Sequence, residues 1–303
     1  MVVLVTGGSG FIGSNVTSKL VEMGYEVRVF DQRKPSHEGI SWLKGDLLDE
    51  KDVLEACEDV EYVFHLAAVA DVNEALSHPE LCLAVNETGT INLLRAASAK
   101  EVGRVILAST TWVYGKTDCV VDETTPVPMP DHIYTKTKIG QEQLVHAWFK
   151  HYGLPFTILR YDIHYGPGMR SNMAISIFAH KAMRKETISV FGDGNQGRCF
   201  IYVEDLAEGN LAALRNKAEN EIINLAGAEF VTINQVIHAL KKIFDGVEIE
   251  RKPSRPEDFR GTRVSITKAK RLLGWAPKKS FEKGLELYVE SLQKDSVRSK
   301  SNQ

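Results

Sequence analysis

Along the first half of the chain, runs of apolar residues alternate with stretches of helical periodicity. Val2-Val3-Leu4-Val5 is an unbroken β-branched run, the pattern of a strand buried on both faces. Ile12, Val16 and Leu20 follow on one helical face, and Gly24 marks the stop. From Tyr25 to Phe30, apolar Tyr25, Val27 and Val29 alternate with charged Glu26 and Arg28, the period of a strand. Tyr62–Leu66, Arg104–Ala108 and Phe156–Leu159 read as further strands, and Ile222–Leu225 as a late strand returning to the sheet. Helical patterns run from about Pro79 to Lys100 and from Tyr134 to about Tyr152. Such alternation predicts an α/β fold, a doubly wound parallel sheet with its ligand at the carboxyl ends of the strands. The alternation breaks down beyond Gly166, where turn-rich Phe191–Arg198 and Pro-broken Arg255-Pro256-Glu257-Asp258 occur. The polar tail from about Lys294 reads as frayed.

The first strand runs into Thr6-Gly7-Gly8-Ser9-Gly10-Phe11-Ile12-Gly13. Gly7 suits a tight turn, Gly10 lets backbone approach a pyrophosphate, and Gly13 lets the helix lie close to the sheet. Free N–H groups at the positive end of the helix would hold the diphosphate. Glycines at this spacing also occur in ordinary strand–turn–helix corners, so context decides. Here a strand precedes, a helix follows, and Asp31 closes the next strand. A carboxylate there accepts both adenosine ribose hydroxyls and repels a 2′-phosphate, which favours NAD over NADP. Arg33 and Lys34 soften that preference. Asp46, with Leu47, stands after another short strand, placed for the adenine amino group. The small residues of Leu66-Ala67-Ala68 leave room for a ligand beside the backbone.

Net charge is −3 over 303 residues, which gives no electrostatic reason to expect nucleic acid or an anionic membrane as partner. Cys57, Cys82, Cys119 and Cys199 form no C-x-x-C pair, so neither a disulfide framework nor a metal site is expected. With a strand beginning at Met1 and no long apolar run, the chain reads as cytoplasmic, without signal peptide or membrane span.

Tyr134 and Lys138 are four apart and share one helix face. A phenol titrates near 10, too high for a base at neutral pH, and a neighbouring ammonium with a positive nicotinamide ring would lower it. Thr110, at a strand end, is placed to bond the same substrate hydroxyl. His65, in an apolar strand, reads as a core histidine.

The glycine loop, Ser109-Thr110, Val113-Tyr114-Gly115 and Tyr134-x-x-x-Lys138 together resemble the extended short-chain dehydrogenase/reductases, and within them the nucleotide-sugar epimerases and dehydratases. The likeness extends through His65-Leu66-Ala67-Ala68, Asn86 to Leu94, Phe191-Gly192-Asp193-Gly194, Tyr202 to Asp205 and Leu273-Gly274-Trp275. It implies a Rossmann domain for NAD at 1–166 and 199–227, with a smaller α/β nucleotide-sugar domain at 167–198 and 228–303. Thr110, Tyr134 and Lys138 stand at the family's catalytic positions. Gly7, Gly10, Phe11, Ile12, Gly13, Asp31, Asp46, Leu47, Leu66, Ala67, Ala68, Asn86, Ser109, Tyr134 and Lys138 stand at cofactor positions. Thr110, Trp112, Tyr134, Arg198 and Arg255 fall on the substrate, the arginines on its diphosphate, because guanidinium pairs bidentately with phosphate. The resemblance further implies a homodimer through the helices near 80–100 and 133–152.

Dehydratases of this family carry an Asp-Glu pair after the catalytic threonine, and decarboxylases keep the Glu; here Thr111 and Trp112 follow Thr110. The pattern that remains is that of a UDP-sugar 4-epimerase, which removes a hydride and returns it. A nucleotide-sugar reductase or dehydrogenase, a dehydratase and a non-catalytic dinucleotide sensor are the alternatives. Four positions depart from the family: Asp162-Ile163 replaces Phe-Asn, Cys199 replaces Asp, and Ala75 replaces Ser. The lost Asn helps hold substrate phosphates. His164 is an additional candidate substrate contact.

Overall fold

The computed structural model describes residues 1–37, 39–117, 119–254 and 260–301, with backbone alone for 297–301. Seven parallel strands form the central sheet: β1 (Val2–Thr6), β2 (Glu26–Phe30), β3 (Ser41–Leu43), β4 (Val60–His65), β5 (Arg104–Thr110), β6 (Phe156–Tyr161) and β7 (Glu221–Leu225). Their spatial order is β7-β6-β5-β4-β1-β2-β3, so the winding reverses between β1 and β4. Ligands of such sheets lie in the crevice at that reversal, outside the carboxyl ends of the strands. Register places Thr6 beside both Phe30 and His65, and Thr110 beside Tyr161.

The apolar runs are continuous because each strand is covered on both sides. Val3, Val5, Ile106 and Leu159 pack in a layer with Val16 and Leu20 of the Phe11–Glu22 helix and Leu206 of the Val203–Ala212 helix. Leu4, Val105, Leu107 and Ile158 point the other way, onto Leu93, Leu94 and Val145. Successive residues of one strand therefore feed opposite layers, as a two-residue period requires. A third cluster, around Tyr165, Phe178, Val190, Phe200, Leu240, Leu285 and Tyr288, holds the C-terminal helices and their short strand pairs together.

Three elements differ from the sequence reading. β5 and β6 each run two residues beyond the expected end, because the hydroxyl and polar residues there stay buried and laddered. The expected 79–100 helix contains a π-turn, Ala84–Thr88, between the Pro79–Leu83 and Gly89–Ala99 segments. Such wide turns concentrate at functional sites. This one keeps Asn86 fully buried, where its amide accepts from Val69 N (2.8 Å) and donates to Val69 O (3.0 Å) and Thr137 Oγ1 (2.9 Å). Among the described residues, no helix is long and apolar enough to cross a membrane, and no cluster of three metal-ligating side chains occurs.

Candidate active site

At the β1–β4 reversal the three glycines do different work. A Cβ on Gly13 would lie 2.1 Å from Gly7 O, and one on Gly7, whose φ is +71°, would lie 2.7 Å from Ala67 N. Both positions are closed by the protein's own backbone. Gly10 meets only Gly7 O at 3.1 Å, and it begins the Phe11–Glu22 helix with no side-chain cap. The first helical N–H groups are thus left for a ligand, and no acid in the first turn opposes an anion. Asp31 stands beside this loop, its carboxylate accepting from Ser9 N (3.0 Å) and Arg33 N (2.9 Å). Asp46 is fixed by Leu48 N (3.0 Å) and Gln32 Nε2 (3.0 Å). Leu47 is fixed through its carbonyl by Asn92 (3.0 Å), with Gly89 packed against its side chain. An uncapped glycine loop flanked by two oriented carboxylates fits the diphosphate and adenosine of a dinucleotide. Phe11 packs against His164 at 5.6 Å, and a Cβ added at Gly168 would lie 3.5 Å from the Phe11 ring, so the segment after β6 covers the start of the helix. His164 also bonds its neighbour's backbone at Asp162 O (3.2 Å), and burial pushes its imidazole down to about 4.

Tyr134 and Lys138 lie in the first turns of the Ile133–Tyr152 helix, which His132 caps through its ring nitrogen and Thr135 N. Both face the end of β5: the Thr110 side chain lies by the Tyr134 phenol, and Lys138 Nζ donates to Ala108 O (2.9 Å). The sequence expectation has the lysine and the nicotinamide ring lower the phenol together; the protein alone holds it high. Burial pushes Tyr134 up to about 12, against the pull of Arg170 and of Thr110. Burial also pushes Lys138 down to about 8, against Cys82 and Glu142. A low-dielectric cleft penalises phenolate and ammonium alike.

Ser109, expected at the cofactor, donates its hydroxyl to Glu142 (2.5 Å), whose carboxylate also takes Arg160 Nε (3.0 Å) and Nη2 (2.7 Å). Arg160 in turn lies 4.9 Å over the Tyr114 ring. Glu142 is four residues past Lys138, so half-buried Tyr134 and buried Lys138 and Glu142 form one stripe along the helix, facing the end of β5. That spacing was readable, but its partner Arg160 comes from another strand. His65 is a core histidine, as read, held between Thr6 Oγ1 and Thr90 Oγ1 at 2.9 Å each. Burial pushes its imidazole down to about 3.

Beside the start of the Ile133–Tyr152 helix opens a cleft of about 830 Å³, with Thr111, Trp112, Met129, His132, Asp162 and Arg198 among its walls. Trp112 stands edge-on to both His132 (5.2 Å) and Tyr134 (6.4 Å). Asp71, which caps the Val72–Ser77 helix, takes Arg170 (2.9 Å) and Asn172 (3.0 Å), strapping the segment after β6 to the segment after β4. Neither residue was singled out from sequence, since nothing in the local pattern couples positions a hundred apart. Arg255 lies outside the described residues.

Comparison with known proteins agrees with this geometry. The UDP-glucose 4-epimerase of Thermotoga maritima, solved with UDP-glucose, superposes with a TM-score of 0.91 at 35% identity, covering 98% of this chain and 100% of that one. The UDP-glucuronic acid 4-epimerase of Bacillus cereus, solved with UDP-glucuronic acid and NAD, gives 0.89 at 30% identity, covering 97% and 99%. UDP-glucuronic acid decarboxylase 1 of Xenopus tropicalis is 32% identical over 321 residues, 99% of this chain and 74% of the relative. The profile of the NAD dependent epimerase/dehydratase family matches residues 3–226. A β1–β4 crevice with an uncapped glycine loop, a Tyr-x-x-x-Lys stripe on the end of β5, and these likenesses together place the chain in the NAD dependent epimerase/dehydratase family.

Proposed function

We propose that this protein is an NAD-dependent epimerase of a nucleotide sugar, acting on a UDP-sugar at carbon 4. One observation carries the choice within the family: the two residues that follow Thr110 supply no carboxylate as a further acid or base. Thr111 and Trp112 follow Thr110, and Thr111 is hydrogen-bonded to Asp162 (3.3 Å). Of the two carboxylates in the cleft wall, Asp131 is exposed, and Asp162 is only 4% exposed and accepts three hydrogen bonds from the protein. Eliminating water calls for an additional acid and base; moving a hydride off a carbinol and back does not.

Gly7, Gly10, Phe11, Ile12 and Gly13 would hold the cofactor diphosphate, Asp31 the adenosine ribose, and Asp46 with Leu47 the adenine. Leu66, Ala67 and Ala68 would line its path, with Asn86 and Ser109 bracing the walls. NAD, when bound, supplies a reversible hydride acceptor. Tyr134 withdraws the proton from the sugar hydroxyl while Thr110 fixes that hydroxyl's position. Lys138 supplies positive charge beside the phenolate, and the cofactor's own charge adds to it, offsetting the burial that holds Tyr134 high in the protein alone. Once the keto-sugar has turned over, Tyr134 returns the proton to the opposite configuration, so no net oxidation results. Arg198, with Arg255, binds the diphosphate of the substrate. Residues 1–166 and 199–227 form the cofactor half, and 167–198 with 228–303 the nucleotide-sugar half. A homodimer forms through the 79–99 and 133–152 helices, which leave Leu81 (41%), Phe149 (39%) and Tyr152 (68%) exposed in one chain.

Tyr134→Phe tests the assignment. Loss of a positioned general base lowers kcat by about 10²–10⁴-fold, with bound NAD retained. Turnover equal to the parent protein would refute the role of Tyr134.

A further inference from the structure

The substitution of Asp162-Ile163 for the family's Phe-Asn removes a polar side chain from position 163 and puts an acid one residue earlier. Ile163 contributes its backbone instead. Its N–H donates to Asp162 Oδ1 (2.8 Å), and its carbonyl accepts from Ile201 N (2.9 Å). The same Oδ1 accepts from Thr111 Oγ1 (3.3 Å), while Oδ2 accepts from Cys199 N (3.1 Å). These three donors come from three different walls of the 830 Å³ cleft: the turn after β5 that carries Trp112, the segment after β6, and the strand that carries Arg198. Cys199 is the residue next to Arg198, and its carbonyl is itself held by Gly227 N (2.9 Å). Among the described residues, Asp162 is thus the one side chain that joins Thr111, Ile163 and Cys199.

We infer that Asp162 is a positioning residue for substrate: by fixing the backbone at Cys199 and the hydroxyl of Thr111, it sets Arg198 and Trp112 against the nucleotide diphosphate and the sugar. This rests on reading the cleft as a nucleotide-sugar site. The substrate grip that an asparagine amide gives directly is here exerted through the placement of Arg198. A carboxylate suits the task because both its oxygens accept, and all three facing groups donate. An amide cannot replace it. With its oxygen in the Oδ1 place, its NH₂ faces Cys199 N–H; turned over, it faces Ile163 N–H. Either way one buried backbone donor meets a donor.

The test is the affinity of the NAD-loaded protein for UDP, measured by calorimetry, together with KM and kcat on the UDP-sugar. Asp162→Asn raises the Kd for UDP and the KM about tenfold, and kcat changes less than KM. In an Arg198→Gln background the same substitution adds little further loss, because it acts through that arginine. Full additivity of the two losses overturns the inference, as does an unchanged Kd in Asp162→Asn. If Asp162→Asn fails to fold, Thr111→Val, which removes one of the three donors and leaves Asp162 in place, decides the matter. A weaker Kd for UDP supports the inference and an unchanged one overturns it. Failure of the parent protein to bind UDP would instead refute the nucleotide-sugar reading on which the inference stands.

Discussion

The Ser109–Glu142–Arg160 cluster gives a prediction whose size can be worked from its geometry. Glu142→Gln keeps the volume and removes the charge. The carboxylate now receives three charge-assisted bonds, one from Ser109 and two from Arg160, and Arg160 is only 3% exposed. After substitution the guanidinium stays buried with no anion in contact and only the Tyr114 face at 4.9 Å. Leaving one partner of a buried pair uncompensated costs about 3–5 kcal/mol. Ser109→Ala removes a single bond to a charged group and costs about 1.5–3 kcal/mol. Against a total stability of about 5–15 kcal/mol, the first loss is severe and the second moderate. Replacing both ends, as Glu142→Met with Arg160→Met, removes the orphaned charge, so the double variant is more stable than Glu142→Gln alone. Urea unfolding followed by tryptophan fluorescence and by circular dichroism measures all four proteins, with coincidence of the two probes as the check on two-state behaviour. A Glu142→Gln unfolding free energy within about 1 kcal/mol of the parent would show that the pair is solvated and would refute the reasoning.

The glycine loop separates structural from ligand-facing positions. Gly13→Ala puts a methyl 2.1 Å from Gly7 O and is expected to lose both stability and bound NAD. Gly10→Ala, with a nearest contact of 3.1 Å, is expected to fold with a near-normal melting temperature and weakened NAD retention. Equal melting temperatures for the two would contradict that division. His65 gives a pH dependence. Its imidazole sits at about 3 when folded and near 6.5 when unfolded, so the unfolded chain binds the proton first and stability falls as pH drops between those values, by about 5 kcal/mol in full. His164, lowered to about 4, acts in the same direction, and Asp162, raised to about 6, in the opposite one. His65→Gln should therefore flatten the acid side of a melting-temperature profile, and a profile parallel to the parent's would contradict it.

The sheet was legible because a strand covered on both faces needs an unbroken apolar run, and Val2–Val5 and Val105–Leu107 show one. The glycine spacing and Tyr134-x-x-x-Lys138 were legible because they are short and local. The π-turn at Asn86 was not, since its cause is a pairing with Val69 and Thr137, 17 and 51 residues away. Asp162 was visible as a departure, but its three donors meet only in the fold. The direction of the Tyr134 shift escaped for a similar reason. Sequence shows the lysine four residues away and does not show the burial that raises the phenol.

Proton NMR of the purified protein incubated with UDP-glucose, UDP-galactose and UDP-glucuronate, with no cofactor added, bears on the central claim most directly. A 4-epimerase converts one of these sugars to a mixture of its 4-epimers, with protein-bound NAD unchanged at the end. Conversion that stops without added NAD(P)H, or release of carbon dioxide or water from the sugar, would contradict the claim.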